Sequence, residues 1–303
     1  MAEYVHRNLE ETLPELEQLE RVGLFSRDEI KSIIKRRTAH EYRMNRLKND
    51  KEDFLKYIEY EKDLLNLIKK RRKKIKYYFK ETDIEHAIVV RIQRLYRRLC
   101  TLFPHDLTIW LSHIRFLHEW NRMSRLSQLF TKLLKVNSRI PGLWILAAKT
   151  QLEYNNNPDD ARRLLLRALR HHPNSQKLWT EYFRMELLHA YKLNKRMAIL
   201  QQSQMSLEED EASLLKGKLA KLVYKSALKA IPDNIQFRLQ FAKISEEFDF
   251  TRDITDEIYD DLLADHPDKE LTWNVLARRP LTFLDKKANG ELSLHKIWNH
   301  PPW

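Results

Sequence analysis

Glycine is nearly missing from this chain, with four in 303 residues. So few leave little room for hairpins, and neither G-x-x-x-x-G-K-[ST] nor G-x-G-x-x-G occurs. An all-helical protein without a phosphate-cradling loop is the expectation. Cysteine occurs once, at Cys100, which excludes a disulfide framework and a zinc site of several thiolates. A reducing compartment, cytosol or nucleus, follows. No stretch approaches 18 uncharged apolar residues, so no membrane span is expected. Residues Met1 to Arg7 lack the apolar core of a secretory signal. No Ser or Cys stands in a recognisable nucleophile motif. His113 and His118 lie five apart, off the i, i+4 face that a helical zinc site uses. Asp159 and Asp160 follow Pro158 at a helix start, where carboxylates complement the helix dipole. We therefore expect no enzyme: no catalytic residue, metal, cofactor or small-molecule substrate.

Charge, by contrast, is plentiful and uneven. The net charge is +12, yet residues 1–200 carry 41 basic against 25 acidic side chains, and residues 201–303 carry 14 against 18. A positive front and an acidic back suit contact with nucleic acid or an acidic partner through the first two thirds. Charge alone does not separate those partners.

Tryptophan supplies the organising pattern. Trp110, Trp144, Trp179 and Trp273 each follow an apolar or aromatic anchor by 14 residues, the anchors being Tyr96, Phe130, Leu165 and Tyr259. A further repeat has Tyr224 as anchor and Arg238 in the Trp slot. Anchor spacings of 34, 35, 59 and 35 describe one period with a single insertion of about 24 residues. A period of 34 to 35 is one helix-turn-helix of a stacked α-solenoid. Eight residues after the anchors stand Pro104, Pro173, Pro232 and Pro267, with Ser138 as the departure. Proline stops helix B there, and the Trp opens helix A of the following repeat. Helix A is clearest at Trp179-x2-Tyr182-Phe183-x-Met185-Glu186, which Phe54-x2-Tyr57-Ile58-x-Tyr60-Glu61 matches place for place. Positions i, i+3, i+4 and i+7 share one helical face, so these rings are packing elements between helices. An exposed aromatic row stacking single-stranded bases is the alternative.

Residues 1–50 form a helical lead-in that caps the array. Pro14 kinks or restarts its first helix, Gly23 ends that segment, and Ser26-x2-Glu29 reads as a capping box. The array spans 51–279, with a charged insertion at about 189–215 that reads as an extended helix and an acidic loop. Residues 280–303 have no repeat register and read as a divergent, poorly ordered tail. Pro280 falls where helix A should still be running, as in an alternative or truncated terminus.

The strongest cationic run is Lys69, Lys70, Arg71, Arg72, Lys73, Lys74 and, past Ile75, Lys76. Six consecutive cations exceed a helical turn and cannot share one solvated face. Either two arginines snorkel across the groove or the helix leaves the body of the protein. A plain surface run, phosphate or acidic-peptide binding, and a nuclear-import signal all fit. Arg91, Arg94 and Arg98 recur at helical spacing, as do Arg163, Arg167 and Arg170 on a later helix B, and could make a basic strip.

The helix A pattern with Trp, a second aromatic and Glu, then the late Pro, resembles the half-a-tetratricopeptide (HAT) repeat of RNA-processing proteins. Leu13-Pro14-Glu15-Leu16-Glu17-Gln18-Leu19-Glu20, Gly23-Leu24-Phe25-Ser26, Asp53-Phe54 through Tyr60-Glu61, and Ile258-Tyr259-Asp260-Asp261-Leu262 are similar to the U3 small nucleolar RNA-associated protein 6 family. That resemblance implies a right-handed superhelical solenoid of TPR-like helix pairs. It implies a nucleolar scaffold within the UTP-B part of the small-subunit processome, acting in pre-18S rRNA maturation. WD40-propeller proteins, the U3 small nucleolar RNA particle and pre-rRNA are the partners it implies. A HAT scaffold of splicing or of mRNA 3′-end processing, or a direct RNA binder, is the alternative.

Overall fold

A computed structural model describes residues 2–46, 50–76, 81–201, 217–232 and 234–277. Among them there is no strand. Thirteen helices follow in order: α1 (Ala2–Glu10), α2 (Leu13–Arg21), α3 (Arg27–Met44), α4 (Lys51–Ile75), α5 (Glu81–Leu102), α6 (Leu107–Glu119), α7 (Met123–Val136), α8 (Pro141–Glu153), α9 (Pro158–His171), α10 (Gln176–Gln201), α11 (Lys218–Ala230), α12 (Ile235–Ser245) and α13 (Arg252–Asp265). Residues 270–277 are also helical. Two compact units result, Met1–Leu126 and Ser127–Trp303. The class is that of a helical-repeat solenoid. The acidic segment Glu208–Glu211 and the tail 280–303 lie outside the described residues.

The punctuation read from sequence is visible in the helix ends. Helix B stops two residues before its proline, or before Ser138, in each repeat: α5 at Leu102, α7 at Val136, α9 at His171, α11 at Ala230 and α13 at Asp265. In the lead-in, Pro14 sits at the start of α2, where its missing N–H costs nothing. Gly23 takes φ +75°, a left-handed turn that a side chain resists. Ser26 and Glu29 cap α3 reciprocally.

The Trp slot has a role that spacing alone does not show. Each indole Nε1 donates back to the carbonyl six residues earlier: Trp110 to Pro104 at 3.0 Å, Trp144 to Ser138 at 3.0 Å, Trp179 to Pro173 at 2.8 Å and Trp273 to Pro267 at 2.7 Å. The ring thus satisfies a carbonyl in the turn after helix B, and at Trp110 and Trp144 its body is also buried in the core. Arg238 does the same with Nη2, 3.0 Å from the Pro232 carbonyl, although it is only 4% exposed. A guanidinium buried there needs a counter-charge, and Asp265 stands 2.6 Å away. Phe54, Tyr96, Trp110, Phe130, Trp144, Leu165, Tyr224 and Tyr259 are all buried. Trp179 is half-buried, and Trp273 is 59% exposed.

A second link recurs with the same offset. The residue seven places after the Trp slot reaches one on the preceding helix, 24 residues back. Glu186 takes Arg162 at 2.7 and 2.9 Å, Gln151 donates to Ser127 at 3.1 Å, and Glu61 takes Arg37 at 2.8 and 2.9 Å. The last of these places α3 in helix B register. His40 then occupies an anchor slot, and its ring stacks on Tyr57 at 4.9 Å, as the anchor Tyr96 stacks on His113 at 5.0 Å. Part of the segment that reads as a lead-in therefore carries repeat contacts.

Candidate nucleic-acid interface

The apolar face of α4 (Phe54, Tyr57, Ile58, Leu64, Leu65 and Ile68) is buried, and continuing it at helical spacing brings Arg72 onto the same side. Arg72 is accordingly buried, with Glu85 of α5 at 3.0 Å. This corrects its place among the candidate ligand contacts, since a guanidinium already desolvated against a carboxylate does not face a partner. Arg71 is also engaged. It binds both Glu29 oxygens, at 2.6 and 2.8 Å, and the Leu24 carbonyl, at 2.9 Å. Hydrogen bonds from Arg71, with those of the cap, hold the Glu29 carboxyl down at about 2. Lys69 lies 3.9 Å over the Trp120 ring. Lys70, Lys73, Lys74 and Lys76 remain exposed. The run is thus divided by its own helical phase into inward arginines and outward lysines.

The arginine row of α5 needs the same correction. Arg91 is drawn into a nearly solvent-free cluster with Glu15 (2.7 Å) and Glu61 (3.3 Å), which Arg37 completes. Burial pushes the Glu15 carboxyl up, but Arg37 and Arg91 outweigh it and hold the net pKa below the ordinary range. Arg98 donates to the Met44 carbonyl and to Asn45 at 3.1 and 3.2 Å. Arg94 pairs with Glu11 at 2.8 Å, both in solvent. The reason is helical phase: at roughly 100° per residue, positions seven apart realign, so Arg91 and Arg98 share the face that the N-terminal helices cover. In the second unit Arg163, Arg167 and Arg170 are exposed. Arg163 pairs with Asp160 at 3.5 Å, and Arg167 lies 5.9 Å over Trp144.

The structure gathers a different set of cations within the first unit. A cleft of about 290 Å³ is lined by His86, Val90, Gln93, Arg94, Arg97, Arg122 and Arg125, with no described carboxylate among them. Arg122 donates to His86 Nδ1 at 2.6 Å, which ties the start of α5 to the turn before α7. A larger cleft of about 630 Å³ shares His86, Val90, Arg94 and Arg97 with it and runs on toward Asn8, Glu11 and Glu41. Sequence reading missed His86, Arg97, Arg122 and Arg125. The available signal was two i, i+3 arginine pairs, 94/97 on α5 and 122/125 at the entry to α7.

Beside this surface burial holds two groups in their neutral forms. Burial pushes the Cys100 thiol up to about 12. Burial, with Arg97 and Lys62 nearby, brings His113 down to about 3. The unfolded chain takes a proton near 6.5 that the folded one refuses, so this contribution is intact above 6.5 and is lost as pH falls toward 3. At pH 5 the loss is about 2 kcal/mol. Urea denaturation at pH 7.5 and 5.0 should show a smaller drop for His113→Gln than for the parent chain. Equal drops would remove His113 as the cause.

The family model for U3 small nucleolar RNA-associated protein 6 matches residues 9–91. A human U3 small nucleolar RNA-associated protein 6 homolog is 45% identical over 283 residues, 93% of this chain and 47% of the relative. The chain belongs to the U3 small nucleolar RNA-associated protein 6 family. A family member from Schizosaccharomyces pombe is 34% identical over 200 residues, 66% of this chain and 41% of the relative. The chain spans about half the length of the curated family members it matches. A tetratricopeptide-repeat model matches residues 141–185, the segment holding α8, α9 and the start of α10. Among solved structures, the C-terminal part of a TPR repeat-containing protein from Cytophaga hutchinsonii is 11% identical, with a TM-score of 0.40, covering 90% of this chain and 97% of that one. The TPR protein YrrB is 14% identical, with a TM-score of 0.31, over 75% of this chain and all of that one.

Proposed function

We propose that this chain is a non-enzymatic scaffold in nucleolar pre-18S rRNA processing and small ribosomal subunit biogenesis. It works within the UTP-B part of the U3-containing small-subunit processome. The observation that carries this reading is the 45% identity, over 283 residues, with a relative named for association with U3 small nucleolar RNA. Stacked helix pairs support it physically, because such arrays present long continuous faces for binding. WD40-propeller proteins of that subcomplex are the direct partners, and the U3 particle and pre-rRNA are reached with them. Affinity purification of the tagged chain from nucleolar extract should recover U3 RNA and WD40-propeller proteins. Recovery of splicing or 3′-end cleavage factors without U3 RNA would sink this assignment.

A further inference from the structure

We infer that the exposed edge of the second unit formed by Lys132, Lys135, Arg139, Arg167 and Arg170 binds the phosphate backbone of single-stranded RNA directly. This goes beyond the scaffold role, which needs no RNA contact by this chain.

Residues 127–178 carry nine lysines and arginines against three carboxylates, Glu153, Asp159 and Asp160. Each carboxylate is already taken: Glu153 by Lys149 at 3.9 Å, Asp159 by Arg162 at 2.8 Å and Asp160 by Arg163 at 3.5 Å. All three stand at the last residue of α8 or in the first turn of α9. Lys132, Lys135, Arg139, Arg167 and Arg170 lie outside those pairs, are exposed, and make no ion pair among the described residues. From Asp160 to Arg170 the rise along α9 is about 15 Å, beyond a Debye length at physiological salt. Counter-charge is collected at the start of α9, and the cations gather at its end.

Packing brings the five together. The Ser138 carbonyl, in the turn after α7, accepts from Trp144 Nε1 at 3.0 Å and lies 2.9 Å from His172 Nε2, just past α9. The Trp144 ring in turn has His171 at 5.7 Å and Arg167 at 5.9 Å. The end of α7, with Lys132, Lys135 and Arg139, therefore adjoins the end of α9, with Arg167 and Arg170. Helix C-termini carry about half a negative charge each, so the two ends offset roughly one of the five cations. An anion is favoured over the remainder, and the planar fork of arginine fits phosphate oxygens two at a time. Trp144, the ring beneath Arg167, is buried, so bases find no stacking platform on it and contact falls on the backbone. Recognition is then independent of sequence and strongly dependent on salt. A protein partner would need apolar anchors in pockets. Val136, Ile140 and Leu166, the aliphatic side chains exposed on these segments, are each more than half covered by the fold already.

The test uses the purified 303-residue chain and a fluorescein-labelled uridine 20-mer, titrated between about 50 and 200 mM salt. Arg139→Gln/Arg167→Gln/Arg170→Gln should weaken binding by about tenfold or more. It should also reduce the salt slope by about 2, at roughly 0.7 per lost phosphate contact. Lys70→Gln/Lys73→Gln/Lys74→Gln removes the same charge from the exposed side of α4 and should stay within about twofold. Lys132→Gln/Lys135→Gln should lower the slope by about 1.4, and it carries the test should the arginine variant lose its helical signal. Equal losses in the arginine and α4 variants would reduce the effect to net charge and overturn the assignment. No loss in the arginine and α7 variants, or no measurable RNA binding, would overturn it too. Tighter binding of a labelled polyglutamate of equal charge, lost in the same variants, would identify an acidic protein partner and equally overturn it. Each of these failures leaves the scaffold role standing, because U3 recovery is measured separately.

Discussion

Glu61→Ala should destabilise the first unit by about 3–5 kcal/mol, the cost of removing one partner from a buried ion pair. Glu61 is fully buried and is held by both Arg37 and Arg91. Without it, two desolvated guanidiniums share Glu15 alone. Those four residues come from α2, α3, α4 and α5, so the effect should reach the docking of the N-terminal helices as well as α4. Equilibrium urea denaturation measures the loss, and hydrogen exchange in α1–α3 locates it. A loss below about 1 kcal/mol would mean that water replaces the missing carboxylate and that the cluster is not closed. Arg91 in this cluster also explains why an arginine row on α5 need not be a ligand surface.

Trp144→Ala comes next in size, with an expected loss of about 3–5 kcal/mol in the second unit. The ring is 2% exposed, packs near His171 at 5.7 Å, and donates to the Ser138 carbonyl. Trp144→Phe separates bulk from hydrogen bond. It keeps most of the ring and should lose only about 1 kcal/mol, the net value of one hydrogen bond. His172 lies 2.9 Å from that same carbonyl and softens the loss. Denaturation of the two variants side by side checks the order. Equal losses would assign the whole effect to the N–H, and negligible losses in both would remove the packing role altogether.

These two sites were legible to different degrees. The Trp, the anchor and the late Pro recur at fixed spacing because each acts within one turn of chain, and local geometry repeats when the repeat does. The 24-residue link was equally periodic but hidden, since it is Arg–Glu twice and Ser–Gln once. Six consecutive cations on α4 could not share one solvated face, which left open whether two arginines snorkel or the helix leaves the body of the protein. That Arg72 would meet Glu85, and Arg71 would meet Glu29, depends on which helix lies across from them. Arg91, Arg94 and Arg98 made a convincing row on paper. Two of them are covered by segments tens of residues earlier, which no spacing within α5 reveals.

Helix punctuation, repeat length and the sorting of rings into the interior were therefore written into local order, because proline, glycine and apolar periodicity act through bonds and neighbours a few residues apart. Which cations remain available to a partner was set by packing between distant segments. Burial next to a carboxylate withdraws a guanidinium from solvent, as at Arg72 and Arg91, whereas the lysines that follow Arg72 on α4 stay exposed. Charge is counted along the chain, but its availability is settled in space.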